Sequence, residues 1–159
     1  SDALVSTIDL MPTIAEWAGI TDVDLAAHRV HGRSFCPIIN GQADRVQDAI
    51  LFTYDDGFVF DNGFKIDTDR WAGRIRCIRT TEFKYAVYYN TPGTCFEYEL
   101  YDLTNDPGEM ENLARGLPLH RLAYHSRQQE LHDQLTDLMD QYKATPTSFD
   151  WPTRTAVSG

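Results

Sequence analysis

The sequence predicts an α+β protein: a small antiparallel sheet of about four strands packed against a long C-terminal helix, preceded by a short N-terminal helix and loops. Three observations carry this expectation. Four β-prone segments lie between residues 49 and 103. Leu131, Leu135, Leu138 and Tyr142 step by four, three and four, with Met139 widening the stripe. The chain also opens on one short amphipathic stretch, STIDLMPTIAEWAGI.

In that first stretch Ser6, Thr7 or Asp9 can cap a helix, and Pro12 is tolerated only within its first turn. Leu10, Ile14, Trp17 and Ala18 fall on one face, and Gly19 suits the stop. A helix this short needs a partner for its apolar face, and part of that partner is expected outside the chain. Residues 20–48 read as a loop with a short helix, containing a turn-like His31-Gly32 and an apolar patch that ends at Asn40-Gly41. AILFTYDD, residues 49–56, is the first strand. Residues 56–73, rich in Gly and Asp with several aromatics, read as a long excursion, and long loops often carry function.

RIRCIRT sets Ile75 and Cys77 against Arg74 and Arg76, with Ile78 breaking the alternation. A corner at Thr80-Thr81-Glu82 turns it into EFKYAVYYN, which is strongly β-prone. In CFEYELYDL, Phe96, Tyr98 and Leu100 share one face and Glu97, Glu99 and Tyr101 the other. The final helix spans 119–142 and is expected to cover one face of the sheet. The tail TPTSFDWPTRTAVSG, with two prolines, reads as irregular.

The net charge of −10 and pI near 4.7 argue against a nucleic-acid binder, which needs a basic face, and disfavour an anionic membrane surface. No run approaches a transmembrane span. The opening SDALVSTIDL lacks the basic start and apolar core of a signal peptide. The missing initiator Met fits a trimmed or partial chain, or its removal by processing. Cys36, Cys77 and Cys95 form no CxxC pair, and their odd number rules out complete internal pairing. Buried free thiols are the expectation, with a Cys77–Cys95 bridge as the alternative.

ELYDLTNDPGEMENLA gathers Asp102, Asp106, Glu109 and Glu111 around a proline-glycine corner. A calcium loop starting at Asp102 would need Gly at its sixth position and Glu at its twelfth; Pro107 and Leu113 stand there. The corner reads instead as a turn at Asn105-Asp106-Pro107-Gly108, with Glu109 and Glu111 in the first turn of a short helix. His28 and His31 flank the HRVHG corner, and His125 and His132 share a helical face. Neither pair has further zinc ligands nearby, so surface or hydrogen-bonded roles are expected. No nucleotide-binding glycine loop and no GxSxG elbow is present.

Taken in order, STIDLMPTIAEWAGI with HGRSFCPIINGQ, then IRCIRTTEFKYAVYYN, then ELYDLTNDPGEMENLA resemble the C-terminal part of the sulfatase family, arylsulfatase-type, in the alkaline-phosphatase-like superfamily. They are similar to its segments DLxPTxxxxAG and GxSxxP, RxxRTxxxKY, and ELYDLxxDPxExxNL. The resemblance covers nearly all of residues 1–142 and implies a sulfuric ester hydrolase as the full-length protein. It also implies a formylglycine nucleophile made from the cysteine of a C-x-P-S-R motif and a divalent metal, usually calcium, held by Asp and Asn residues.

Those motifs belong to an N-terminal part and are absent here. Cys36 does not supply one, because Pro37 follows it directly and Asn40 stands where Arg is needed. This chain is therefore expected to hold no catalytic residue, metal ligand or cofactor and to be inactive alone. Its expected partners are the missing N-terminal catalytic domain and a small sulfated substrate. Residues 1–48 would close the catalytic domain, 49–145 would form the sheet-and-helix subdomain, and 146–159 would be an irregular tail.

Asp55, Asp56, Phe58 and Trp71, in the excursion and at its edges, are the candidate substrate-binding residues, with the aromatics set against an aryl or sugar group. The competing reading is an exposed insertion without substrate contact. A phosphonate or phosphate monoester hydrolase of the same superfamily is the nearest alternative, and a non-catalytic binding module is the alternative from another class. The chain reads as soluble, and a signal peptide on the full-length protein would make it periplasmic or secreted.

Overall fold

A computed structural model gives the structure and describes residues 1–20, 25, 27–55, 70–115 and 118–153. The elements are a 3₁₀ turn at Thr7–Asp9, α1 (Leu10–Trp17), α2 (Cys36–Ile39), β1 (Ala49–Tyr54), β2 (Arg74–Thr80), β3 (Phe83–Tyr89), β4 (Phe96–Asp102) and α3 (Pro118–Tyr142). Contacts divide the chain into two units, Ser1–Ile50 and Leu51–Gly159.

In the first unit a buried carboxylate organises the loops. Asp9 accepts hydrogen bonds from the Ser6 amide (2.7 Å), the Arg33 amide (2.8 Å) and Gln47 Nε2 (2.8 Å). A buried carboxylate tolerates its desolvation when it accepts several such bonds. Thr13 extends the network by donating to the Asp9 carbonyl and accepting from the Phe35 amide. Gly32 is required here for a close approach rather than a turn, since a Cβ would lie 2.1 Å from the Ile8 carbonyl oxygen. Pro12 falls in the first turn of α1 as expected. The buried face of α1 is Pro12, Thr13 and Ala15. Leu10, Ile14 and Trp17 are 50%, 58% and 65% exposed, so the apolar face lacks a partner among the described residues.

In the second unit the sheet runs in the order β1-β2-β3-β4. The β2–β3 hairpin turns at Thr80, whose hydroxyl accepts from the Phe83 amide at 2.9 Å and donates to the Phe83 carbonyl at 3.2 Å. Cross-strand pairs Arg76↔Val87, Ile78↔Tyr85, Val87↔Tyr98 and Tyr85↔Leu100 put these side chains on one face. The helix α3 packs on β2 and β3, burying Leu131, Leu135 and Met139, while Leu138 is half-buried. Phe96, Tyr98 and Leu100 point inward as their alternation predicts.

The structure bears out some readings and corrects others. On β2 the face that carries Ile78 also carries Arg74 and Arg76, and Arg76 is buried. Cys77 is buried on the opposite face. All three cysteines are free, as expected, with no Cys77–Cys95 bridge, and Cys95 is half-buried rather than buried. Residues 109–112 are not helical: Glu109 is left-handed, with φ 54°, and pairs with Lys84, while Glu111 donates its amide to Asp106 Oδ2. The tail is irregular through residue 153, yet Phe149 and Trp151 pack on Tyr89 and Phe96 with ring centroids 5.5–6.4 Å apart.

Candidate functional site

Chemistry-bearing side chains of the second unit converge where the end of β1, the start of β2 and the chain beyond α3 meet. Asp55 follows β1 directly and faces Arg76 in a two-pronged pair, with Nη1 to Oδ1 and Nη2 to Oδ2 both at 2.9 Å. Fork-to-fork pairing of this kind is directional as well as strong. The Tyr89 hydroxyl donates to the same carboxylate at 3.1 Å, and Arg74 Nη1 approaches it at 3.6 Å. Burial pushes the Asp55 carboxyl up, but the Arg76 hydrogen bonds and charge, with Tyr89 and Arg74, outweigh it and hold the group below the usual carboxylate range. Arg76 also donates to the carbonyls of Ile75 and Ala144 at 2.9 Å and lies over the Tyr89 ring. Burial pushes the Tyr89 hydroxyl up, so it stays a donor.

These groups form one wall of a cleft of about 500 Å³ that Thr91 and residues 143–148 complete. Lys143, just past α3, adopts φ 54°, a left-handed conformation that usually selects glycine. Its described lining is polar, with three cations against one carboxylate in a chain of net charge −10.

Among the described residues Asp55 is thus the one sequence-predicted site residue placed in the cleft, and it is already paired. Trp71 is 60% exposed with Arg70 over its ring at 5.4 Å, and it does not line the cleft. Asp56 and Phe58 lie outside the described residues. Arg74, Arg76, Tyr89 and Lys143 were missed as site residues. The Arg74-x-Arg76 alternation was the available signal, because a strand carries such a pair to one face.

The acidic corner is spent on its own backbone. Asp102 accepts from the amides of Thr104 and Asn105 at 3.0 and 3.1 Å and from Asn105 Nδ2 at 2.9 Å. The Asn105 side chain, acting against the burial penalty, helps hold that carboxyl below its ordinary range. Asn112 docks the returning chain on β4 through the Leu100 amide and the Tyr98 carbonyl. Among the described residues no three His, Cys, Asp or Glu side chains converge to hold a metal. Cys36 is buried, with its thiol toward the Thr13 carbonyl at 3.6 Å, which is a packing role. The described residues therefore do not fit a metal or a formylglycine.

The fold is thus of the α+β class, a four-stranded antiparallel sheet with α3 packed on it. Residues 1–141 match the family described as N-sulphoglucosamine sulphohydrolase, C-terminal, and the chain belongs to that family. It is 35% identical over 121 residues to an uncharacterized sulfatase of Schizosaccharomyces pombe, covering 74% of this chain and 19% of the relative. It is 26% identical over 146 residues to N-acetylglucosamine-6-O-sulfatase of Bacteroides thetaiotaomicron, covering 90% and 22%. A protein solved in complex with its substrate D-glucosamine-2-N,6-O-disulfate superposes with a TM-score of 0.62 at 26% identity, over 87% of this chain and 24% of the other. The chain spans about a fifth to a quarter of the length of the curated relatives it matches. No helix among the described residues is long and apolar enough to cross a membrane.

Proposed function

We propose that this chain is the C-terminal part of an enzyme that hydrolyses sulfate esters. The observation that carries the reading is its family membership over residues 1–141, supported by relatives that are named sulfatases. In this reading the nucleophile and a calcium ion belong to a preceding catalytic domain, which accords with the chain spanning only 19% and 22% of two of its sulfatase relatives. Residues 1–48 are the end of that domain, 49–145 the accessory subdomain and 146–159 its tail. The exposed Leu10, Ile14 and Trp17 face is where the catalytic domain packs, since burying such a stripe is what makes a short helix stable.

The subdomain supplies scaffold and part of the substrate cleft, with Asp55, Asp56, Phe58 and Trp71 as the candidate substrate-contacting residues, of which Asp55 lines the cleft described above. A saccharide sulfate is the favoured substrate class, because the named relative and the solved complex both concern sulfated glucosamine. An aryl sulfate serves as the reporter.

The test is turnover of p-nitrophenyl sulfate and of glucosamine 6-sulfate by the full-length protein, with and without calcium chelation, beside the isolated 159-residue chain. The expected result is metal-dependent turnover by the full-length protein and none by the chain. Turnover by the chain that is lost in Cys36→Ala would overturn the reading, as would a full-length protein that cleaves p-nitrophenyl phosphate and no sulfate ester.

A further inference from the structure

We propose that the cleft between Arg74 and Lys143 binds a sulfate group. The inference rests on the sulfate-ester reading above and names the chemistry of one wall of the cleft.

The first observation is charge. Among the described residues Asp55 is the only carboxylate that lines the cleft, and Arg76 takes both of its oxygens at 2.9 Å. Arg74 is left with one long contact, 3.6 Å from Nη1 to Oδ1. Lys143 makes no ion pair within the described residues. Among the described lining residues one carboxylate thus faces three permanent cations, an excess of two positive charges in an acidic chain. Such an excess is destabilising unless solvent or a bound anion offsets it.

The second observation is an unsatisfied donor. Arg74 Nε is buried and has no hydrogen-bond acceptor. A buried N–H without an acceptor is costly, and buried donors are normally paired. The edge of the guanidinium that remains, Nε with Nη2, is the one that grips two oxygens of a sulfate or carboxylate side by side.

The third observation is backbone strain beside the same cleft. Lys143 occupies a left-handed position at φ 54°, where its amide bonds back to Asp140 and the next amide to Met139. Glycine is the ordinary occupant of such a helix end. Lys143 lines the cleft from this strained position, and strained non-glycine residues concentrate at binding sites. The competing account is a favourable charge at the helix C-terminus. The hydroxyl of Thr147 on the cleft lining adds a neutral donor suited to a sulfate oxygen.

The experiment is a titration of the full chain, at fixed ionic strength, followed by the Arg74 Nε–H signal in nitrogen-15 NMR. The probes are sodium sulfate, sodium acetate and D-glucosamine-2-N,6-O-disulfate. Sulfate and the disulfated sugar are expected to shift that signal saturably, and acetate to do so only weakly. Lys143→Gly should raise or preserve the unfolding temperature, because it removes the left-handed strain, yet weaken sulfate binding about tenfold, the effect of losing one charge-assisted contact. Lys84→Gln, outside the cleft, should leave binding unchanged.

Absence of a saturable shift overturns the proposal. So does equal weakening by Lys84→Gln, which marks diffuse charge attraction, or wild-type binding by Lys143→Gly. A response to acetate with none to sulfate overturns the sulfate assignment. The two readings fail separately. Sulfate-ester turnover by the full-length protein without a sulfate shift removes the cleft site alone. A saturable sulfate shift in a protein whose full-length form cleaves no sulfate ester removes the enzyme reading alone.

Discussion

The hydroxyl of Tyr85 on β3 donates to Nδ1 of His132 on α3 at 2.9 Å, with both side chains buried. The other ring nitrogen, Nε2, donates to the Pro152 carbonyl at 2.5 Å, and Trp151 stacks on the ring at 9°. One neutral imidazole therefore joins sheet, helix and tail. The Nε2–H tautomer is the form that satisfies both contacts.

This relationship sets a pH dependence. Burial lowers the His132 pKa below its ordinary value of 6.5, outweighing the opposing pull of the Pro152 carbonyl and the Asp133 charge. The unfolded chain then binds the proton first, so stability is full above about pH 6.5 and falls as pH drops through that value toward the folded pKa. The unfolding temperature at pH 5 should lie below that at pH 7.5, and His132→Gln should flatten the difference. An unchanged slope in the variant would place the titration elsewhere.

Leu135 is fully buried on α3, and Gln134 beside it is exposed. Leu135→Ala should cost about 2–5 kcal/mol through lost burial and a residual cavity. Gln134→Ala should change stability by no more than about 0.5 kcal/mol. Denaturant midpoints decide, and equal effects would mean that α3 does not cover the sheet.

Gly93, at φ 68°, sits beneath Phe149, where a Cβ would lie 2.2 Å from the ring. Gly93→Ala should therefore be destabilising for two reasons, the left-handed backbone at about 1–2 kcal/mol and the collision. In a Phe149→Ala background the collision disappears, so the same substitution should cost less. A double-mutant cycle that shows simple additivity would remove the tail from this packing.

Because the acidic corner is occupied by its own amides, calcium should bind it weakly, and Asp106→Asn should leave that affinity unchanged. Calorimetry that finds tight binding abolished by Asp106→Asn would restore a metal loop.

The sequence by itself determined the strands, the hairpin and the leucine stripe of α3, because alternation, a polar two-residue corner and helical spacing are local properties. It also determined the corner after β4 as a turn, through Pro107-Gly108 and the failed calcium spacing, although not its left-handed Glu109. Tertiary structure alone decided which face of β2 is covered, and so buried Arg76 against a carboxylate 21 residues away. It alone made His132 a core residue and brought Phe149 and Trp151 back onto Tyr89 and Phe96. Periodicity places a side chain on a face, but what covers that face comes from a distant segment. Whether a buried charge or imidazole is tolerated depends on the partners that segment brings.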